Sequence, residues 1–325
     1  ATDAQLIGGR EWRIVTELRK QYDVDEVLPS TEIEGDKFDV LLAPMPSSLT
    51  DQEMDNLVAY VKTGKPVLIF DDPLPLAFSD RFGVTNAPRQ PKPSPGGMMG
   101  GMMGRQPQAP PKADGGRATR LLDAIGIDWK YDQVVFDFSN PHPGEFGNIP
   151  AEYVFITRKN GNEEALNSEV PGTRDLQEVV GIYAGTVEKD ARGRDIEFTP
   201  LLSTGESSGV LSWIQFMDEG GFNPFSMQMT ARPRRNPERL VDDEVHHIAA
   251  RITSDKEGDK LKLIYVADID MISDVFFELR SRAVLDVEFD NVPFVLNAVD
   301  MLAGDETYVA LRSRRAKQRT LTRLE

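Results

Sequence analysis

The sequence predicts an α/β fold: a mostly parallel sheet with helices on both faces and a strand-rich insertion in mid-chain. Three observations lead there. Residues 38–43, Asp39 apart, and 66–70 are apolar at successive positions, so they have almost no polar face to give to water and read as strands covered on both sides. An amphipathic helical pattern lies between them, the alternation that builds parallel sheets. The same rhythm stops after Asp72 and returns at Lys260, so the two ends of the chain are expected to share one sheet.

Taken in order, residues 11–21 carry Trp12, Val15 and Leu18, with Tyr22 beyond, at helical spacing, and residues 24–28 follow as a short strand stopped by Pro29. The strand at 38–43 is closed by Pro44 and Pro46. Thr50 and Glu53 then form a capping box, in which the hydroxyl takes an N–H of the first turn and the carboxylate reaches back. The helix they open has Met54, Leu57, Val58 and Val61 on one face and ends at Gly64. The strand at 66–70 precedes a Pro/Gly/Met-rich stretch, 88–116, expected to be a disordered loop. Residues 117–125 read as a helix ended by Gly126, and 133–138 as a strand. The insertion, 139–254, holds candidate strands at 153–156, 178–184, 196–202 and 248–252, and a loop bearing Arg232, Arg234, Arg235 and Arg239. A strand at 260–267, helices at 273–280 and 292–303, and a last strand at 307–311 complete a single domain, 1–311, whose core is 1–138 with 255–311.

Composition narrows the function. The 325 residues carry 53 acidic and 37 basic side chains, a net charge of −16, which opposes binding to nucleic acid. There is no cysteine, so thiolate catalysis, disulfides and sulfur-bound zinc are excluded. The apolar runs are far shorter than the roughly 20 residues a membrane span needs. No Walker loop is present, because Thr63-Gly64-Lys65-Pro66 lacks the upstream glycine and the following hydroxyl.

Four features could carry chemistry. Gly205-Glu206-Ser207-Ser208-Gly209 has the Gly-x-Ser-x-Gly spacing of a hydrolase elbow, with His246 and His247 downstream as bases and Asp218, Asp242 and Asp243 between; the same residues also make an ordinary Ser/Gly turn. The adjacent histidines diverge on any regular backbone and cannot chelate one ion together, and His142 stands alone in a Pro-rich turn. The Met-Met pairs at 98–103 offer soft thioether ligands for Cu(I), or are simply part of a flexible tract. Asp71 and Asp72 follow one buried strand, and Asp268 and Asp270 another. If those strands are neighbours, four carboxylates line one crevice, the usual place for a ligand in an open α/β sheet, able to take a hard cation or a polyol. Alternatively, Asp72 shapes the turn before Pro73 and Asp270 or Ser273 caps the next helix.

The blocks 38–44, 49–53, 59–61 and 64–73, then Leu121-Leu122-Asp123-Ala124-Ile125-Gly126-Ile127 with Asp137 in the next strand, then 266–273 and Leu296-Asn297-Ala298-Val299-Asp300-Met301-Leu302-Ala303-Gly304-Asp305 together resemble the GldG-like auxiliary proteins of ABC transporters, some of them linked to gliding motility. The resemblance implies a flavodoxin-like fold of the class I glutamine amidotransferase kind, also seen in an intraflagellar transport protein. It implies a non-enzymatic region on the periplasmic side of the bacterial inner membrane, anchored outside this chain, with an ABC permease and ATPase as partners. A small-molecule or glycan ligand is possible, and neither cofactor nor nucleic acid is expected. Amidotransferase chemistry does not transfer, since its cysteine nucleophile has no counterpart. The basic run from Arg312 to Arg323, in the tail 312–325, is expected to lead toward a membrane anchor, making the chain a piece cut between two anchors. The alternatives are a serine hydrolase using Ser207, and a glycan- or metal-binding module using Asp71, Asp72, Asp268 and Asp270.

Overall fold

The computed structural model describes residues 11–78, 111–218, 222–223, 228–229, 232–282 and 288–312. The strands that matter here are β1 (Leu41–Pro44), β2 (Val67–Phe70), β3 (Ile127–Trp129), β4 (Gln133–Asp137), β5 (Tyr153–Ile156), β6 (Val179–Ile182), β7 (Val187–Lys189), β8 (Glu197–Ser203), β9 (Ser208–Ser212), β10 (His247–Ser254) and β11 (Leu261–Val266). The helices that matter here are α1 (Arg13–Leu18), α2 (Asp51–Val61), α3 (Thr119–Ile125), α4 (Asp274–Arg282), α5 (Asn291–Ala303) and α6 (Val309–Arg312).

A five-stranded sheet in the order β1-β2-β11-β10-β8 forms the centre. Val67 of β2 lies between Leu41 of β1 and Leu263 of β11, and both of those pairings are parallel. β10 runs antiparallel to both β11 and β8. The sheet is therefore mixed, where a mostly parallel one was expected. Its side chains alternate as the pleat requires. Val67 and Ile69 face Met54, Leu57 and Tyr60 of α2 and Leu121 and Ile125 of α3. Leu68 and Phe70 face Trp12, Ile14 of α1 and Phe294 and Val295 of α5. Helices thus cover both faces, and each buried Val, Leu or Phe contributes about 1.5–3 kcal/mol.

The capping box opens α2 as expected: Glu53 accepts the Thr50 N–H at 2.8 Å. Gly64 follows α2 with φ of +76°, and a Cβ there would lie 2.6 Å from the Lys260 side chain, so the turn admits no other residue without strain. α5 is buried at ten positions and ends at Gly304, φ 80°.

Four expectations change. Residues 24–28 are not a strand, leaving β1 as a sheet edge. Residues 307–311 turn into α6, because the Asp305 carboxylate accepts the Thr307 N–H and starts a turn. Two strands assigned by sequence to the insertion, β8 and β10, belong to the central sheet; Ala249 and Ala250 of β10 face opposite core layers, so this strand is buried on both sides. The loop expected at 88–116 stops earlier: Ala113–Gly116 is a short 3-10 turn, with the Ala113 N–H bonded to Leu49 O at 2.7 Å. Residues 88–110, the Met-Met pairs and 313–325 of the basic tail lie outside the described residues.

Candidate functional site

β2 and β11 are neighbours, so the carboxylates after them do meet, but in two groups on opposite sides of the sheet. The pleat sends Asp71 toward α2 and α3 and Asp72 the other way. Asp71 accepts the Ser47 hydroxyl at 2.5 Å and the Ser47 N–H at 3.1 Å. Burial pushes its carboxyl up to about 7, against the pull of those donors and of the Lys112 ammonium. Lys112 is itself held below the usual lysine range by burial. The Tyr265 hydroxyl on the same side is buried with no hydrogen-bond partner among the described residues and is pushed well up by burial and by the charges of Asp71 and Asp72.

Asp72, Asp268 and Asp270 form the second group, with one carboxyl oxygen of each inside a mutual span of 4.8 Å. Asp72 accepts N–H groups from Leu74 at 2.7 Å and Ile269 at 3.0 Å. Asp268 accepts from Ile182 at 2.7 Å and, more weakly, from Met271 at 3.3 Å. Asp270 accepts from Leu76 and Ala77, both at 2.9 Å. Burial, then the mutual repulsion of like charges, raises Asp72 and Asp270 well above the carboxylate range; burial brings Asp268 to about 7, held there by its N–H donors and a hydrogen bond with Asp72. All four aspartates, Asp71 included, have no solvent-exposed surface. The cluster is closed, and it ties the ends of β2, β11 and β6 together. Asp72 makes the Asx turn expected of it, whereas Asp270 binds back to residues 76 and 77 and caps no helix.

Sequence reasoning missed Ser47, Lys112, Tyr265 and Ile182. Their contributions depend on a backbone N–H or on proximity across tens of residues, and neither has a motif.

The Gly-x-Ser-x-Gly turn joins β8 to β9, strand to strand, and makes no elbow before a helix. Its glycines answer to packing: a Cβ on Gly205 would lie 2.3 Å from Asn160 O, and one on Gly209 would lie 2.6 Å from Leu240 O. Ser207 is exposed and offers its carbonyl to the Phe138 N–H. Ser208 is the buried serine, with its hydroxyl 2.8 Å from that of Thr204, 2.7 Å from Gly205 O and 3.0 Å from Glu244 O. His246 pairs with Asp242 at 3.1 Å, and His247 Nδ1 meets the Ser203 hydroxyl at 2.9 Å. His142, expected to stand alone, meets Glu178 at 2.7 Å within a ring of Phe146, Phe155 and Phe289. The Arg-bearing loop contributes Arg239, whose guanidinium grips Glu152 through two 2.9 Å bonds.

Comparison with known proteins gives three findings. No curated protein matches the chain. A solved structure described as the mmIFT52 N-terminal domain is similar at 14% identity and a TM-score of 0.46, covering 90% of this chain and 89% of that one. Residues 1–298 match the family described as "ABC-type uncharacterized transport system". With nearly the whole chain spanned by that match, the protein belongs to this family of auxiliary components of ABC-type transport systems.

Proposed function

We propose that this chain is the periplasmic, non-enzymatic module of an auxiliary subunit anchored in the bacterial inner membrane, and that it binds partner subunits or substrate for its ABC permease and ATPase. The family match over residues 1–298 carries the reading. The site geometry supports it: the exposed serine of the hydrolase-like turn sits on a strand-to-strand connection, and both downstream histidines are engaged with Asp242 and Ser203. A ligand crevice at Asp71, Asp72, Asp268 and Asp270 is the second reading. Because all four are fully buried, that role requires the segment covering them to move.

The absence of cysteine makes the location directly testable. Ile214, which is 81% exposed, replaced as Ile214→Cys provides a single thiol within these 325 residues, and any cysteine elsewhere in the full-length protein is replaced by serine for the test. A membrane-impermeant maleimide should label it in cells whose outer membrane alone has been permeabilised. Labelling only after the inner membrane is lysed overturns the periplasmic assignment. Site-specific crosslinking to the permease or ATPase of the same system tests the partner assignment; a crosslinker placed across the exposed surface that captures neither subunit refutes it.

A further inference from the structure

The charge of the chain is not evenly spread. Residues 312–323 hold six basic side chains and no acid, which leaves 31 bases against 53 acids in all the rest. Charges in water are screened over about 8 Å at physiological salt, so a basic run answers to its own neighbourhood and not to the total.

The structure shows what stands where this run begins. α6 is about one helical turn, in which residues three apart share a side. Val309 is buried on one side, and Arg312 turns the same way. The Arg312 guanidinium donates to Asp300 at 2.8 Å, to Asn297 at 2.9 Å and to Gln21 at 2.5 Å. Tyr308 and Leu311 make the other face, and each is 59% exposed. Arg312 is thus spent on fixing the turn to α5 and to the residues after α1. Arg314, Arg315, Lys317, Arg319 and Arg323 follow it in the sequence. An exposed aromatic and an exposed aliphatic side chain beside a run of bases match a membrane interface, where apolar groups enter the headgroup boundary and bases meet lipid phosphate. Nucleic acid would use the bases but has no apolar layer to receive Leu311.

We propose that Tyr308, Leu311 and the basic side chains from Arg314 to Arg323 form a surface that docks on a bilayer rich in anionic lipid. The contact sets this edge of the domain, next to the C-terminal end of α5, against the membrane. It does not depend on what the protein transports, and it can hold or fail whichever side of the membrane the chain occupies.

The test is co-flotation of the 325-residue chain with vesicles of phosphatidylcholine containing about one-third phosphatidylglycerol, and with vesicles of phosphatidylcholine alone. The native chain should float with the first and not with the second, and about 0.5 M salt should release it. Arg314→Gln with Arg315→Gln removes two charges, each worth about fivefold near an anionic surface, so binding should weaken by about tenfold or more. Tyr308→Ser with Leu311→Ser keeps every charge and should also weaken binding by about tenfold. Because both side chains are exposed, the urea midpoint of that variant should not move, and lost binding is then not lost folding. Failure of the native chain to float with anionic vesicles overturns the proposal, as does equal flotation with neutral ones. Native binding by the Tyr308→Ser, Leu311→Ser variant overturns it too. So does displacement of the vesicles by duplex DNA at equal phosphate, which makes the run a nucleic-acid contact instead.

Discussion

The two adjacent serines of the Gly-x-Ser-x-Gly turn should behave in opposite ways. Ser208 is fully buried, and its hydroxyl lies within bonding distance of the Thr204 hydroxyl, Gly205 O and Glu244 O. A hydroxyl has one proton, so it donates to one carbonyl and accepts from Thr204. Ser208→Ala leaves at least the Thr204 proton and one carbonyl unpaired in a dry site, a cost of about 1–3 kcal/mol. It also loosens the point where residues 242–246 bind back, since the Ser208 hydroxyl no longer meets Glu244 O and the Thr204 hydroxyl, which accepts the His246 N–H, loses its partner. Ser207→Ala removes an exposed hydroxyl and should change stability by less than about 0.5 kcal/mol. Urea unfolding of the two variants reads both numbers. A serine hydrolase reverses the emphasis: a fluorophosphonate would label Ser207, and Ser207→Ala would abolish the adduct with no loss of stability. An adduct at Ser207, or a Ser208→Ala variant as stable as Ser207→Ala, refutes the reasoning.

Stability should fall as pH rises from about 4 to about 7. Asp71 sits near 7 when folded and at 3.8 when unfolded, so the folded state keeps a proton that the unfolded chain releases; the stability this contributes is complete below about pH 4 and is gone once pH passes about 7, a span worth roughly 4 kcal/mol. Since general acidic repulsion has the same sign, the measurement is the difference between native chain and Asp71→Asn in urea midpoints across that range, and Asp71→Asn should show the flatter curve. Arg239→Ala strands the buried Glu152 charge and should cost about 3–5 kcal/mol, most of it recovered when Glu152→Met is combined with Arg239→Met. Asn291 at the start of α5 accepts the Val180 N–H at 3.0 Å and donates to Val180 O at 2.8 Å; Asn291→Ala should cost about 2–4 kcal/mol and raise exchange at Val180.

Much of the frame was readable from local pattern. The Thr50–Glu53 capping box, the apolar strands ending at Phe70 and Val266, and the long apolar helix ending before Gly304 all follow from spacings of two, three and four residues. The pairs Asp71-Asp72 and Asp268-Asp270 were recognisable as strand-end carboxylates for the same reason. Other residues were ambiguous locally. Residues 307–311 read as a strand and form a turn and helix, because the Asp305 side chain competes for the backbone. The Gly-x-Ser-x-Gly run was legible as a motif and misleading as an elbow, since its glycines are demanded by Asn160 and Leu240, distant in the chain.

By itself, then, the sequence determined a two-faced sheet with helices on each side, and which acids stand at its strand ends. Periodicity and capping are properties of neighbouring residues, so they need no knowledge of the rest of the chain. Only the tertiary structure decided that β8 and β10 join that sheet antiparallel, that Asp71 parts company with Asp72, and that Asp72, Asp268 and Asp270 close into one buried cluster under residues 74–78. Those outcomes rest on hydrogen bonds such as Ile269 N–H to Asp72 and Ile182 N–H to Asp268, between residues 197 and 86 positions apart. A backbone N–H is the same group in every residue but proline, and so leaves no mark in a sequence.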